Sequence, residues 1–207
     1  MKTSFPQTLI SLFLIFHSFN LSLASTKPNT VNTSFIKKCC STTTYPTLCF
    51  ATLSGHAAQI QNNPKRLAAK ALVIALIEAK SAAQTTARLS KSRELTPSEK
   101  AALSDCTMSV ESSAAQLQRS IQEMGGAPAY TDMEASDVET WTSTALTYAG
   151  TCKEAFEGSN MNGNVKILVQ RKIVKLSQLT SNALALVKRY YVSAATNAHH
   201  NHNNNHP

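Results

Sequence analysis

The stretch CSTTTYPTLC, residues 40–49, holds Cys40 and Cys49 on either side of a Tyr-Pro turn. Two further cysteines, Cys106 and Cys152, lie far downstream. A short closed loop followed by one long-range pair is typical of an exported protein, because disulfides persist only in oxidising compartments. Pairing by position joins the first two cysteines to each other and the last two to each other, although the sequence alone permits other connectivities.

Cys39 is the fifth cysteine and stands directly before Cys40. Three states are open to it. It is buried and inert, or it forms an intermolecular disulfide, or it competes with Cys40 for Cys49.

A signal peptide is predicted over residues 1–24. Lys2 precedes an apolar run over residues 9–19, and residues 22–24 offer small side chains at the two positions that determine cleavage. A membrane anchor is disfavoured, because this run is about half of the roughly 20 apolar residues that span a bilayer. We therefore expect a secreted, extracellular protein that begins near Ser25.

Composition predicts one all-α domain over residues 25–195. The 207-residue chain holds only 6 Gly and 7 Pro, whereas Ala, Ser, Thr and Leu are abundant and β-branched alternation is nearly absent after the signal peptide. Residues 196–207 form a low-complexity tract of His and Asn, which predicts a disordered tail. Its four histidines are expected to be solvated rather than to hold a metal.

Capping signals predict four amphipathic helices. Asn63-Pro64 offers a cap followed by proline at the first helical position. Residues 96–99, Thr-Pro-Ser-Glu, form a capping box, and residues 136–139, Ser-Asp-Val-Glu, repeat its logic. The predicted spans are 63–90, 96–126, 136 to about 152, and 164–190.

Four amphipathic helices joined by short connections predict an up-down-up-down bundle over about residues 63–191. A disulfide between Cys106 and Cys152 would join its second helix to its third. Residues 32–54 are predicted as two short helical pieces, closed by the 40–49 loop into an N-terminal hairpin that packs on the bundle. Asn32-Thr33-Ser34 is an acceptor sequence for glycosylation in a segment expected to be exposed.

The chemistry of common enzymes is missing. His56 is the only histidine outside the signal peptide and the tail, so no Ser-His or Cys-His pair can form within the fold. Carboxylates between Asp132 and Glu157 fit helix capping better than acid–base chemistry. There is no phosphate-binding glycine loop and no metal-ligand spacing, so we predict no enzyme, no cofactor and no metal.

Basic residues concentrate on the first and fourth predicted helices, and the formal net charge is +8. For an exported protein the available polyanion is an acidic polysaccharide or an acidic protein rather than nucleic acid. The alternative is a solvated face that aids solubility. The residues are Lys65, Arg66, Lys70, Lys80, Arg88, Lys91 and Arg93 on the first helix, and Lys166, Arg171, Lys172, Lys175, Lys188 and Arg189 on the fourth.

An ordered set of motifs over residues 32–191 resembles the plant inhibitors of pectin methylesterase and invertase. The resemblance implies a four-helix bundle with an N-terminal hairpin, the two disulfides paired as above, and secretion to the plant cell wall. The motifs are Cys40-(eight residues)-Cys49 with internal Tyr45-Pro46, Asp105-Cys106, Trp141-Thr-Ser-Thr-Ala145-Leu146, Thr151-Cys152, Phe156-Glu157-Gly158 and Ser181-Asn182-Ala183-Leu184-Ala185-Leu186.

Two places bear on which enzyme is the target. In members that inhibit invertase, a Pro-Lys-Phe motif after the second long helix sends its lysine into an acidic sugar-binding pocket. Here Pro128, Ala129 and Tyr130 stand at those positions, so that cation is absent. Members that inhibit pectin methylesterase tend to have a threonine directly before the fourth framework cysteine, where this chain has Thr151.

The resemblance therefore implies a monomeric, non-enzymatic inhibitor that forms a reversible one-to-one complex with a plant pectin methylesterase and covers its pectin-binding cleft. One alternative is an inhibitor of cell-wall or vacuolar acid invertase. Another, of a different class, is a cell-wall module that binds acidic pectin through the basic helices. The candidate contact residues for the esterase are Glu111, Gln118, Gln122, Thr140, Thr144 and Thr151.

Overall fold

The computed structural model describes residues 30–126, 130–157 and 163–203. All secondary structure in these ranges is helical, in the order α1 (Thr30–Cys40), α2 (Pro46–Leu53), a 3-10 turn (Ser54–His56), α3 (Ala57–Ile60), α4 (Pro64–Leu89), α5 (Pro97–Gly126), α6 (Asp132–Glu157) and α7 (Asn164–Asn203). The predicted signal peptide, Pro128, Ala129 and the last four residues of the predicted tail lie outside the described residues. The predicted fold is confirmed, since α4–α7 form a four-helix bundle and α1 and α2 form the hairpin.

The bundle is arranged as a square in which each helix packs on two neighbours. Helix α4 contacts α5 and α7, and α6 contacts the same two helices from the opposite corner. The core between them consists of fully buried large side chains, among them Leu72, Leu103, Phe156 and Leu176. Burial of such residues supplies most of the free energy that holds amphipathic helices together.

The predicted starts of α4 and α5 are confirmed. The Asn63 side chain accepts a hydrogen bond from the backbone N–H of Arg66 at 3.0 Å. At the start of α5, the backbone N–H of Thr96 donates to the Glu99 carboxylate at 2.8 Å, and the Glu99 N–H donates back to Thr96 Oγ1 at 3.3 Å. Both ends therefore satisfy N–H groups that a helix leaves without intrahelical partners.

The predicted start of α6 at Ser136 is wrong by one turn. The helix begins at Asp132, and the backbone N–H of Glu134 donates to Thr131 Oγ1 at 3.1 Å. Thr131 and Glu134 also have capping-box spacing, so the sequence offers two capping boxes that start five residues apart. The earlier start gains a tertiary contact, because the buried Glu134 accepts a hydrogen bond from Tyr191 at 2.8 Å.

Helix α7 ends at Asn203, well beyond the predicted end near Tyr190. Residues 196–203, which the sequence analysis assigned to a disordered tail, are therefore helical. Between Asn164 and Asn203 the sequence contains neither glycine nor proline, so no residue in that stretch stops a helix once it has started.

The buried Asn182 amide of α7 joins the N-terminal hairpin to the bundle by two hydrogen bonds. The Asn182 side chain accepts from the backbone N–H of Tyr45 at 2.9 Å and donates to the backbone carbonyl of the same residue at 3.0 Å. Cys40 pairs with Cys49, with the two Cα atoms 5.5 Å apart, and Cys106 pairs with Cys152 at 4.3 Å. Both predicted pairings are confirmed.

Cys39 is buried and unpaired. Burial raises the pKa of its thiol, and the nearby Arg189 guanidinium offsets part of that rise. A buried thiol with a raised pKa holds little reactive thiolate, so the inert state is the one that the structure favours.

Asn32 of the predicted glycosylation sequence lies in α1 and is half-buried. Ser34 of the same sequence is exposed. Among the described residues, no helix is both long enough and apolar enough to cross a membrane.

Candidate functional site

Helices α5 and α6 form a rigid pair. The disulfide between Cys106 and Cys152 joins them near one end. Further along the seam, Ser113 Oγ donates to the backbone carbonyl of Ala145 at 2.9 Å, and the Thr142 hydroxyl donates to Ser120 Oγ at 3.1 Å. All four of these seam residues are fully buried, so small side chains let the two helices approach closely along their length.

An open groove of about 540 Å³ runs between the outer surfaces of α5 and α6, next to the disulfide. Met108 on the α5 side is 57% exposed, which is unusual for a large apolar side chain. The groove therefore combines an apolar floor with carboxylates at its edge. Its lining includes Asp105, Met108 and Ser112 from α5, and Tyr148, Thr151 and Glu154 from α6.

The candidate contact residues are only partly brought together. Thr151 lines the groove, and Thr140 and Thr144 continue along α6 at helical spacing from it. Glu111, in contrast, is one residue from Ser112 and so points about 100° away from the groove around α5. Gln118 lies one heptad beyond Glu111 on that same outer stripe, and Gln122 is exposed near the end of the helix.

The threonine side chains on α6 present acceptors rather than donors. The Thr144 hydroxyl donates to the Thr140 carbonyl at 2.8 Å, and the Thr151 hydroxyl donates to the Thr147 carbonyl at 3.3 Å. Because each hydroxyl proton is used within the helix, the oxygen lone pairs and the methyl groups face outward. A partner at this surface would therefore approach with donors or apolar groups.

Of the eight residues that line the groove, only Thr151 was predicted from the sequence as a contact. The other seven are Asp105, Met108, Ser109, Ser112, Tyr148, Glu154 and Ala155. A signal for one of them was present, because Tyr148 stands one turn before Cys152. Residues one turn from a disulfide that joins two helices must lie near the junction of those helices.

The α5/α6 side of the bundle is acidic. Helix α5 carries four acidic and two basic residues, and α6 carries six acidic residues and one basic residue, Lys153. The field at this surface is negative although the formal net charge of the whole chain is +8.

Tyr130 lies at one end of the bundle and not in the groove. Of the three residues that correspond to the invertase-targeting motif, it is the one that the structure describes. Its ring packs on Tyr191 with the centroids 6.2 Å apart, and its hydroxyl hydrogen-bonds to Asp132. Burial and the Glu134 carboxylate raise the pKa of Tyr191. This tyrosine cluster is a structural contact between the start of α6 and α7.

Across residues 30–126, 130–157 and 163–203, no group of three or more His, Cys, Asp or Glu side chains is placed to hold a metal ion.

Comparison with known proteins gives one consistent family. A family described as plant invertase/pectin methylesterase inhibitor matches residues 34–186. A "21 kDa protein" of Daucus carota is 38% identical over 181 residues, which cover 86% of this chain and 93% of the relative. "Pectinesterase inhibitor 11" of Arabidopsis thaliana is 37% identical over 195 residues, with 89% and 96% covered.

Among solved structures, the fold is similar to the crystal structure of mutant form A of a pectin methylesterase inhibitor from Arabidopsis. The TM-score is 0.60 at 18% sequence identity, and the match covers 74% of this chain and 95% of that chain. At this identity the likeness supports the helical-bundle fold alone.

Proposed function

Since this chain belongs to the plant invertase/pectin methylesterase inhibitor family, we propose that it is a non-enzymatic inhibitor of pectin methylesterase that acts through the α5/α6 face. The observation that carries the proposal is the groove beside the disulfide, which contains Thr151 and is flanked by carboxylates. Relatives named as pectinesterase inhibitors support the choice of target.

The size of the α5/α6 face suits a stable protein complex. Helix α6 has 26 residues, so it is about 39 Å long, and two packed helices are about 20 Å wide. The resulting area of about 800 Å² equals what one partner contributes to an interface of standard size. This supports a reversible one-to-one complex of a monomeric inhibitor with one esterase.

Inhibition is steric in this proposal. No side chain of the inhibitor reacts, and the α5/α6 face covers the cleft through which pectin reaches the enzyme. The disulfide and the seam hydrogen bonds order the face before binding, so little side-chain and backbone entropy is lost on association. The groove, with Met108 and Tyr148, would take an apolar or basic side chain of the enzyme.

We also propose that the protein is secreted to the plant apoplast after removal of residues 1–24. Glycosylation at Asn32 stays a prediction. Sequencing the N-terminus of protein secreted from plant cells, together with its intact mass before and after glycosidase treatment, tests both. An N-terminus that retains residues 1–24 would contradict the first, and an unchanged mass the second.

The target is tested by titrating the purified protein separately against a plant pectin methylesterase and an acid invertase. We expect the esterase to lose activity with a one-to-one end point and the invertase to be unaffected. Strong inhibition of invertase with none of the esterase would reverse the choice of target and favour the invertase alternative.

A further inference from the structure

The side of the bundle opposite the α5/α6 face is strongly basic. Helices α4 and α7 pack against each other, and they carry five and six Lys or Arg residues. Glu78 is the one acidic residue of the two helices. The basic and acidic helices thus occupy opposite sides of the bundle, and the net charge of the basic side is larger in magnitude than that of the acidic side.

Glu78 fixes two of these cations at the junction of α4 and α7. Lys175 Nζ lies 2.8 Å from one carboxylate oxygen, and Lys172 Nζ lies 3.3 Å from the other and 2.9 Å from Ser81 Oγ. The Glu78 side chain is only 8% exposed, whereas both lysines reach solvent. One carboxylate facing two ammonium groups leaves the cluster with a net charge of +1.

The cations extend along the seam as a strip, defined here by Arg88, Arg171, Lys172 and Lys175. Arg171 and Lys175 are four residues apart on one face of α7, and both are exposed. Arg88 is exposed ten residues beyond Glu78 on α4, which is about 15 Å of helix. A single small anion reaches one or two of these groups, whereas a linear polyanion contacts all of them.

Apolar side chains are interleaved with the strip. Ile77 of α4 is 62% exposed, and Leu168 and Val174 of α7 are 44% and 42% exposed. Ile167, also 53% exposed, lies beside Leu168 and one heptad from Val174 on α7, with Arg171 between them, and none of these residues is aromatic, which is unlike a helix that inserts into a membrane surface. Such a surface suits a ligand that alternates apolar ring faces with anionic groups.

We propose that the α4/α7 strip binds a linear polyuronate, a polysaccharide that carries a carboxylate on its sugar units. The proposal rests on the proposed function, because pectin from which the esterase has removed methyl groups is such a polymer. The strip and the α5/α6 face lie on opposite sides of the bundle, so both are occupied at once. The inhibitor is thereby retained where demethylation has already taken place.

Binding of the purified protein to polygalacturonate, measured by calorimetry, tests the proposal. We expect binding at low salt that is lost above about 0.15 M salt, where the screening length falls below about 8 Å. Highly methyl-esterified pectin, which lacks most carboxylates, should not bind. Vesicles of anionic phospholipid serve as the competing polyanion, and tighter binding to them than to polygalacturonate would overturn the proposal.

Two matched triple variants locate the site. Each removes three positive charges, one set from the strip and one from the α5/α6 side: Arg88→Gln/Arg171→Gln/Lys175→Gln, and Lys100→Gln/Arg119→Gln/Lys153→Gln. We expect the strip variant to bind polygalacturonate about tenfold more weakly, from three exposed charge contacts, and the control to change less than twofold. Equal weakening in both would show a general charge effect and overturn the site.

A double variant, Arg88→Gln/Arg171→Gln, leaves the Glu78 ion pairs intact and guards against unfolding of the triple variant. It should retain the wild-type melting temperature and still bind polygalacturonate more weakly than wild type. Inhibition of the esterase by this variant should be unchanged, because its substitutions lie on the other side of the bundle.

A wild-type protein that binds polygalacturonate without inhibiting the esterase would refute the proposed function alone, and one that inhibits without binding would refute the polyuronate site alone.

Discussion

Replacement of Asn182 by alanine is expected to detach the N-terminal hairpin from the bundle. The Asn182 amide makes two hydrogen bonds, at 2.9 and 3.0 Å, to the backbone N–H and carbonyl of Tyr45. Asn182→Ala removes both. The Tyr45 carbonyl keeps the hydrogen bond that it accepts from the Cys49 N–H at 2.9 Å, whereas the Tyr45 N–H loses the Asn182 acceptor. At about 1 kcal/mol for each bond, plus the desolvation of that N–H, the free energy of unfolding should fall by about 2–4 kcal/mol.

For a chain of this length, that loss lowers the melting temperature by roughly 5–15 °C, which thermal unfolding followed by circular dichroism measures. Ser181→Ala is the matched control in the same motif, since Ser181 makes one exposed hydrogen bond to Thr44 at 3.2 Å. Its melting temperature should change by about 3 °C or less. Tyr45→Phe should also leave the melting temperature unchanged, because the Asn182 amide hydrogen-bonds to the backbone of Tyr45 and not to its hydroxyl.

The reasoning fails if Asn182→Ala and Ser181→Ala melt within about 2 °C of each other. A second readout separates stability from function. Below the melting temperature of the variant, inhibition of the esterase should be unchanged, since the hairpin packs on α4 and α7 and not on the α5/α6 face. A loss of inhibition in a folded Asn182→Ala protein would place the hairpin in the contact surface.

Three further outcomes are expected. Removal of the long disulfide by Cys106→Ser/Cys152→Ser should lower the free energy of unfolding by about 4 kcal/mol in the chain-entropy model, and a loss below about 1 kcal/mol in denaturant titration would contradict it. Thr151→Arg should weaken esterase inhibition at least about tenfold without changing the melting temperature, whereas Thr196→Arg, which replaces an exposed threonine on α7 with the same i−4 hydrogen bond, should have no effect. Because the raised pKa of Tyr191 means that the folded state holds the phenolic proton more tightly, stability should be intact below about pH 10 and fall above it. Tyr191→Phe should flatten that fall above about pH 10, and an unchanged slope in melting temperature against pH would refute the assignment.

Local signals were sufficient where a few neighbouring residues complete a structure by themselves. The cap at Asn63 and the capping box at Thr96 both form as the sequence predicts, because their donors and acceptors lie within three residues of each other. The pairing of the disulfide cysteines could also be predicted, since the cysteines are few and their spacing allows one short loop and one long-range pair. The bundle follows from these signals and from helical periodicity.

Local signals failed where two local solutions compete or where nothing local ends an element. The start of α6 was placed at Ser136, although Thr131 caps the helix and Glu134 gains a bond to Tyr191, which is 57 residues away. The end of α7 was placed near Tyr190, although the following residues contain no helix breaker. The role of Asn182 was likewise invisible in the Ser-Asn-Ala-Leu motif, because its partner is 137 residues away.

The sequence by itself determined the helical class, the caps of α4 and α5 and the family, because each depends on residue types and spacings. It favoured the disulfide pairs without excluding other connectivities. The tertiary structure alone decided which surfaces those helices present. Along the chain, a basic helix is followed by two acidic helices and then by a second basic one, an order with no obvious meaning. Square packing places α4 beside α7 and α5 beside α6. Because electrostatic fields depend on distance in space, the charges of α4 and α7 form one basic side although the two helices are far apart in the sequence, and those of α5 and α6 form one acidic side.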